Sequence, residues 1–465
     1  MEPSVTRRIS RRAFLAASLG TVAAVALSSC AQQPPAAPTQ APAAAPTKAP
    51  EAAPTAAAAG AKVTLDFVEW GYGIETVKDN IVKFQEKYPN ITVNLNDVGW
   101  STYHEMMVTR FQSKTPTDVL YNGGDWLEEF AKAGWVVPLE DHFPWAKGYK
   151  DKIFPSAWSD MVYEGKVYGL PYYADTITFT YNEKALKDAG ITKPPETWEE
   201  VTDQSKTLQK KGMDFPVVHV VAQDLPTASE IFVSMLFGRG GELIDEEKNP
   251  LWDKPDNEVA KHLQWLYDAN KKDKIMAVVP SETDAVGAMG TGKHAFTVQY
   301  NYHLAVMNDP TRSPVAGNIK IGLMPGKTHE CYGFSKFYSL AKMATERGPE
   351  VLDACGKFIQ YWGGETDGQY IVAKRWAVEK GLGFGQKPLL DDPDVKKAFS
   401  KWIDVDTWKK QLEMARAQRH TPWYGIWVEF FRLQMSKVIA GETPLDAALK
   451  TLTDKWDQLK KQFTA

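Results

Sequence analysis

The sequence has few cysteines and lacks the motifs that mark common hydrolases and metalloenzymes. Its three cysteines, Cys30, Cys331 and Cys355, exclude a fold held together by several disulfides. The eight histidines are scattered, and neither a His-Glu-x-x-His zinc motif nor a Gly-x-Ser-x-Gly nucleophile elbow occurs. We therefore expect a protein that is not an enzyme and that has no catalytic residue, metal site or cofactor.

The chain also lacks a surplus of positive charge. It has 54 Lys and Arg against 58 Asp and Glu, a formal net charge of −4, whereas nucleic-acid-binding domains are usually basic. Nucleic acid is therefore excluded as a partner. Gly287–His294 approaches a phosphate-binding P-loop, but His294 stands where Ser or Thr should bind Mg²⁺. We interpret this stretch as a helix end that turns into a strand.

Long apolar runs are missing as well. Ala13–Leu27 is mainly apolar, but it is shorter than the about 20 residues that a membrane-spanning helix needs. It follows four arginines and is typical of the core of a signal peptide. Ser10–Leu15 resembles the twin-arginine export signal, although Ala16 stands where that pattern has Lys. Twin-arginine and general secretory export therefore both stay open.

The stretch Leu27–Cys30 resembles the lipoprotein cleavage box, in which a small residue precedes a lipid-carrying cysteine. The alternative is an ordinary signal peptide with a chance cysteine. We expect residues 1–29 to be a signal peptide and Cys30 to anchor the protein to the outer face of the cell membrane. Residues 31–61 are rich in Ala and Pro and cannot form a core, so residues 30–61 are predicted to be the lipidated Cys and a tether.

Residues 62–465 are predicted to form two lobes, because a single hydrophobic core stops growing beyond about 250–300 residues. The apolar pattern of Val63–Asn122 predicts strand, helix, strand, helix and strand, which indicates an α/β fold with a parallel sheet. Sixteen tryptophans permit a sugar-binding cleft, since sugar rings stack on aromatic faces. For Cys331 and Cys355, a disulfide and two buried thiols both remain open.

Several stretches together resemble the family of extracellular solute-binding proteins that includes the maltose-binding proteins. Their order and spacing cover nearly all of residues 63–465. The stretches are Phe84–Val93, Pro116–Tyr121, Phe130–Gly134, Pro138–Leu139, Tyr168–Thr176, Tyr181–Lys184, Pro194–Glu200, Gly292–Phe296 and the helix that begins near Gly441. The resemblance implies the two-lobed periplasmic-binding-protein fold of type II, with parallel-rich sheets, flanking helices and a ligand cleft at the hinge.

The resemblance also implies how the chain divides between the lobes. Residues 62–174 and 333–380 would form the N-lobe, and residues 175–332 and 381–465 the C-lobe. The chain would cross between them near residues 172–177, 331–335 and 381–388. The protein is then expected to be a monomer that captures a sugar or oligosaccharide and delivers it to the permease subunits of an ABC importer.

Candidate ligand contacts follow from matching this sequence to the family's pattern. Asp125 matches a sugar-binding carboxylate, with Asn122 before it in a flexible turn and Trp126 after it; the alternative is a plain turn. Asp175 matches a second carboxylate, at the first crossing. The other candidates are aromatic residues and one loosely matched acid: Trp70, Tyr172, Tyr173, Glu230, Tyr300, Tyr302 (where the family has a stacking Trp), Tyr332, Phe334, Trp423, Tyr424 and Trp427.

Two other functions compete with sugar binding. Aromatic walls with carboxylates also bind ammonium groups, so a polyamine-binding protein of the same fold is one alternative. A secreted glycosidase is the other, with Asp125 and Asp175 as acid and base. An anionic ligand is disfavoured, because none of the candidate positions is basic.

Overall fold

The computed structural model describes residues 62–254 and 256–464, so the signal peptide, Cys30 and the tether lie outside the described residues. The strands are β1 Val63–Trp70, β2 Ile91–Val98, β3 Val119–Gly123, β4 Val136–Val137, β5 Val162–Tyr163, β6 Lys166–Val167, β7 Gly169–Asn182, β8 Val217–Val220, β9 Met276–Val279, β10 Phe296–Tyr300, β11 Ile319–Gly322, β12 Cys331–Ala341 and β13 Ala415–Arg416.

Sixteen α-helices surround these strands within the described residues. They are α1 Ile74–Lys87, α2 Tyr103–Gln112, α3 Gly124–Lys132, α4 Pro155–Asp160, α5 Glu183–Asp188, α6 Trp198–Lys210, α7 Thr227–Arg239, α8 Glu258–Tyr267, α9 Glu282–Gly290, α10 His303–Met307, α11 Pro349–Gly363, α12 Ile371–Lys380, α13 Pro393–Phe399, α14 Val405–Met414, α15 Tyr424–Ala440 and α16 Leu445–Thr464.

The first five elements follow the predicted β-α-β-α-β order. The apolar residues of α1 recur at helical spacing, so that Val77, Ile81 and Phe84 are buried together. Strands β2 and β3 both pair with β1 in parallel. The α/β fold class is confirmed. Helix α3 begins at Gly124, directly after β3, so the flexible turn predicted before Asp125 is wrong.

Two long strands, β7 and β12, lie in the middle of the main sheet. The strand order is β2-β1-β3-β12-β7-β10-β8-β9, with β4 and β13 beside β12 and β11 beside β7. We call β1–β6 with α1–α4, α11 and α12 the first half, and β8–β11 with α5–α10 and α14–α16 the second half. Residues 169–177 of β7 pair with β12, while residues 177–182 pair with β10 and β11.

The predicted lobe boundaries remain a prediction. The segment after α12 forms backbone contacts with the first half. The backbone N–H of Phe154 donates to the carbonyl of Gly385 at 2.9 Å, and Gln386 forms a β-bridge with Ile153. Residues 385–386 therefore pack on the first half, although they lie beyond position 381, where the C-lobe was predicted to resume.

The core contains both remaining cysteines. Cys331 and Cys355 are buried and free, so the open question between a disulfide and two thiols is resolved in favour of thiols.

Within residues 62–254 and 256–464, no helix has the length and apolar character needed to cross a membrane.

Candidate functional site

A cavity of about 310 Å³ lies between the two halves. It opens beyond the carboxyl end of β3, the edge at which parallel sheets bind ligands. Trp100, Asp125 and Trp126 line it from the first half, and Glu230, Tyr332 and Tyr424 line it from the second half or the crossing strand. Both apolar rings and carboxylates therefore face the same space.

Asp125, on one side of the cavity, forms an ion pair with Lys336 of strand β12. Nζ of Lys336 donates to Oδ1 of Asp125 at 2.8 Å. The same Nζ lies 5.5 Å from the ring centroid of Trp100 and 5.3 Å from that of Trp126, within cation–π range. The side chain of Lys336 is only 5 % exposed, and lysines are rarely so buried unless they are paired.

Each member of this pair keeps the other charged. Burial by itself would raise the pKa of Asp125, but the charge and the hydrogen bond of Lys336 outweigh it and hold that pKa below its usual value. Burial would lower the pKa of Lys336, but the charges of Asp125 and Glu230 raise it. Asp125 is therefore a charged hydrogen-bond acceptor throughout the physiological pH range.

Two further carboxyl groups approach the same ammonium. Burial raises the pKa of Asp160 to about 7, although the backbone N–H of Ser335 donates to its Oδ2 at 2.8 Å. Burial also raises the pKa of Glu230, against the charge of Lys336 and the hydrogen bond that the Tyr300 hydroxyl donates. Carboxyl groups from both halves therefore surround one lysine.

The glycines at the start of α3 make room for this cluster. A Cβ atom on Gly123 would lie 2.5 Å from Oδ1 of Asp125 and 2.7 Å from Nζ of Lys336. A Cβ atom on Gly124 would lie 1.9 Å from Oδ1 of Asp160. Side chains at either position would displace the charged groups, which explains why two glycines occur here.

A second cavity, of about 620 Å³, lies on the other side of the segment 418–420. Gln418 and His420 line both cavities. Burial lowers the pKa of His420 to about 4, although the charge of Asp125 opposes this. His420 is therefore neutral at physiological pH and adds no positive charge to the cavities.

Five of the residues predicted from the sequence line the smaller cavity: Asp125, Trp126, Glu230, Tyr332 and Tyr424. Two other predicted residues, Trp70 and Asn122, do not line this cavity. The ring of Trp70 is 5.5 Å from that of Trp100. Asn122 is internal, because its Nδ2 donates to Oγ of Ser339 at 3.1 Å.

Four predicted aromatic residues form a row that leads away from the cavity. Ring centroids lie 5.8 Å apart for Tyr173 and Phe334, 5.6 Å for Phe334 and Tyr300, and 5.5 Å for Tyr300 and Tyr302. Of the four, Tyr302 alone is half-exposed. The hydroxyl of Tyr300 connects the row to the cavity by donating to Glu230.

Asp175 lies inside the hinge and does not line the cavity. It is 1 % exposed, and its Oδ1 accepts from the backbone N–H of Thr176 at 2.8 Å. Gly383 packs so closely that a Cβ atom there would be 3.1 Å from this oxygen. Burial raises the pKa of Asp175 to about 7.

Three residues predicted to contact the ligand belong to the core, so these three predictions are wrong. Trp427 is fully buried, stacked on Trp252 at 4.5 Å. Trp423 is buried with its ring 5.4 Å from that of Trp456. Tyr172 is 1 % exposed and packs edge-on against the aromatic residues of the first half. Each ring is enclosed by other rings and cannot reach a ligand in the cavity.

Sequence reasoning missed Lys336, Trp100, His420 and Arg432, of which the last three line the cavity. Arg432 therefore places a basic residue at the cavity, whereas none of the positions predicted from the sequence is basic. A signal for Lys336 was present in the sequence: it is the one charged residue in Cys331–Ala341, a run that otherwise consists of aromatic, apolar and small residues. A lysine in such a strand needs a partner.

The comparisons with known proteins agree with this architecture. The profile of the family described as bacterial extracellular solute-binding protein matches residues 70–329, more than half of the chain. The chain is 22% identical over 391 residues to an uncharacterized ABC transporter extracellular-binding protein of Pyrococcus horikoshii, covering 83% of this chain and 86% of that one. It is 28% identical over 153 residues to the diacetylchitobiose-binding protein DasA of Streptomyces coelicolor, covering 32% of this chain and 33% of DasA.

Other relatives match over a part of their length. The chain spans about a third of the length, 31%, of putative binding proteins of Brucella abortus and Brucella suis, at 29% identity.

Solved structures match over most of the described residues. The maltose-bound MalE3 of T. maritima has a TM-score of 0.70 at 21% identity and covers 85% of this chain and 100% of its own. The GacH receptor of Streptomyces glaucescens, solved with acarbose, has a TM-score of 0.70 at 21% identity and covers 86% and 99%. At these identities the likeness shows the fold.

Proposed function

The chain belongs to the bacterial extracellular solute-binding protein family, and from this premise we propose that it captures a neutral sugar or oligosaccharide for an ABC importer. The observation that supports this most is the pairing of aromatic faces with an ionised carboxylate in one cavity. Trp100 and Trp126 offer flat apolar surfaces, and Asp125 beside them accepts hydrogen bonds. Sugars present both an apolar face and hydroxyl donors.

The two cavities favour a ligand longer than one sugar unit. The smaller cavity, of about 310 Å³, is at the low end of the range for small-molecule sites. Gln418 and His420 line both cavities, so a longer ligand would reach the larger one past these two side chains, where Ser156, Ser159 and Asp160 offer polar groups. Two solved proteins of similar fold bind maltose and acarbose.

Ligand capture would be signalled by closure of the two halves about β7 and β12. Contacts already join the halves at the rim of the cleft. Nζ of Lys248 lies 2.5 Å from Oε1 of Glu128, and Nζ of Lys132 donates to the carbonyl of Phe463 at 3.2 Å. A ligand that touches both halves binds the closed state better and shifts the population toward it.

The lipid anchor and tether predicted from the sequence fit delivery to a transporter. A lipid on Cys30 would hold the protein at the outer face of the membrane, and the tether would let a monomer reach the permease. Hydrolysis is not proposed, because Asp175, the predicted partner of Asp125 in a glycosidase, is enclosed in the hinge.

A thermal-shift screen of the purified chain tests the proposal. The panel contains maltose, maltotriose, diacetylchitobiose and mannitol, with putrescine and glycerol phosphate as charged comparisons. At least one neutral sugar should stabilise the fold, by about 2.7 kcal/mol at a hundredfold excess over Kd and with a logarithmic rise beyond it. Chromatography should recover that sugar intact. Stabilisation by putrescine alone or by glycerol phosphate alone would contradict the proposal.

A further inference from the structure

Lys336 occupies a position that in many proteins is kept for a ligand. Its ammonium is held by the faces of Trp100 and Trp126, at 5.5 and 5.3 Å, and by Asp125 at 2.8 Å. Two aromatic faces and a carboxylate are the arrangement by which proteins recognise the ammonium groups of their ligands. Here the occupant is a side chain of the same chain.

The backbone is shaped around this lysine. The register between β7 and β12 shifts between Lys336 and Phe337, so that Lys336 pairs with Tyr173 and Phe337 with Pro171. Such bulges turn a side chain in a new direction and are common beside binding sites. On the neighbouring strand Lys336 pairs with Gly123, where a Cβ atom would collide with its Nζ. Both strands thus adapt to the ammonium.

The charges around the cavity explain why this occupant matters. Six carboxyl groups line the cavity against one arginine, Arg432; the acids are Glu105, Asp125, Glu129, Asp224, Glu230 and Glu429. Such a wall attracts cations as well as hydroxyl groups. Without Lys336, an amine ligand would find an aromatic cage and a free carboxylate already in place.

We propose that Lys336 is the specificity-determining residue of the cleft: its own ammonium fills the cation site formed by Trp100, Trp126 and Asp125, and so restricts the cleft to uncharged ligands. The inference rests on the proposed function. Lys336 also fixes the orientation of the Asp125 carboxylate, which leaves Oδ2 of Asp125 to accept from a sugar hydroxyl. Amines are excluded because their site is taken.

Two substitutions separate these effects. Lys336→Ala empties the cage, and Lys336→Met removes the charge but keeps the stem. Each should weaken binding of the best neutral sugar of the panel about 10- to 100-fold, because a hydrogen bond to a correctly placed charged acceptor is lost. Lys336→Ala alone should gain at least about 10-fold in affinity for butylammonium or putrescine. Butylammonium should also restore part of its sugar affinity.

The pH dependence gives a readout that a purely structural role would not change. The groups that face Lys336 are Asp125 on α3, Asp160 on α4, Glu230 on α7 and His420. When the lysine is removed, burial raises the pKa of Asp125, so this acceptor becomes protonated as the pH falls. As the pH falls, the sugar affinity of Lys336→Met should therefore be lost at a higher pH than that of the unmodified chain.

Lys342→Ala is the matched control, since Lys342 lies just beyond β12 and its side chain is 51% exposed. It should leave both affinities unchanged. The inference is overturned if both Lys336 variants bind sugar as the unmodified chain does, or if putrescine displaces sugar from the unmodified chain, a test that needs no variant. If the unmodified chain binds no sugar of the panel, the proposed function itself has failed.

Discussion

Two clusters of tryptophans serve opposite purposes in this protein. The cleft cluster consists of Trp70, Trp100 and Trp126, all partly exposed, with adjacent centroids 5.4–5.5 Å apart. The core cluster consists of Trp252, Trp423, Trp427 and Trp456, which are at most 4 % exposed. Two members of the first cluster, Trp100 and Trp126, lie beside a charged lysine, whereas the second cluster packs against other side chains of the core. The same residue type thus lines a cavity in one cluster, where we propose that it binds the ligand, and packs the core in the other.

The largest effect should come from the core cluster. Trp427→Ala removes a fully buried ring that stacks on Trp252 and should lower the free energy of unfolding by about 3–5 kcal/mol. Sugar affinity of the folded protein should not change. Denaturant unfolding and a titration of the variant test this. A large loss of affinity with little loss of stability would reverse the assignment of the two clusters.

The cleft cluster should respond in the opposite way. Trp126→Ala removes a ring face that lines the cavity; Nζ of Lys336 lies 5.3 Å from the centroid of the same ring but does not line the cavity. Sugar affinity should fall about 5- to 30-fold, because an aromatic contact contributes about 1–2 kcal/mol. Stability should fall less than in Trp427→Ala, since the ring is partly exposed. Calorimetric titration beside the same unfolding experiment checks both. Unchanged affinity would show that the ligand does not rest on this face.

Sequence reasoning found the order of strands and helices over residues 63–122, and it found one side of the cavity. The order follows from local periodicity, as in α1, where Val77, Ile81 and Phe84 fall on one face. Asp125 and Trp126 were found because they directly follow a buried strand and match a family pattern. These inferences need only nearby residues.

The rest depends on contacts between distant parts of the chain. Lys336 and Asp125 are 211 positions apart, and they meet because β12 pairs with β3 in a register that no local pattern specifies. Trp427 was misassigned for a similar reason. Tyr424 and Trp427 lie on the same broad buried face of helix α15, so its periodicity does not reveal which aromatic residue faces a cavity and which packs against Trp252.

The smallest effect that separates the two clusters should be seen in tryptophan fluorescence. A bound sugar replaces water beside Trp100 and Trp126, so their emission should change. The emission of Trp427 should not, because its surroundings are protein before and after binding. Trp126→Phe should therefore lose much of the ligand-induced change, whereas Trp427→Phe should retain it while lowering the total intensity. Phe keeps most of each ring, so both variants should fold. If Trp427→Phe removes the ligand-induced change, closure of the halves must reach the core cluster, and the two clusters are coupled.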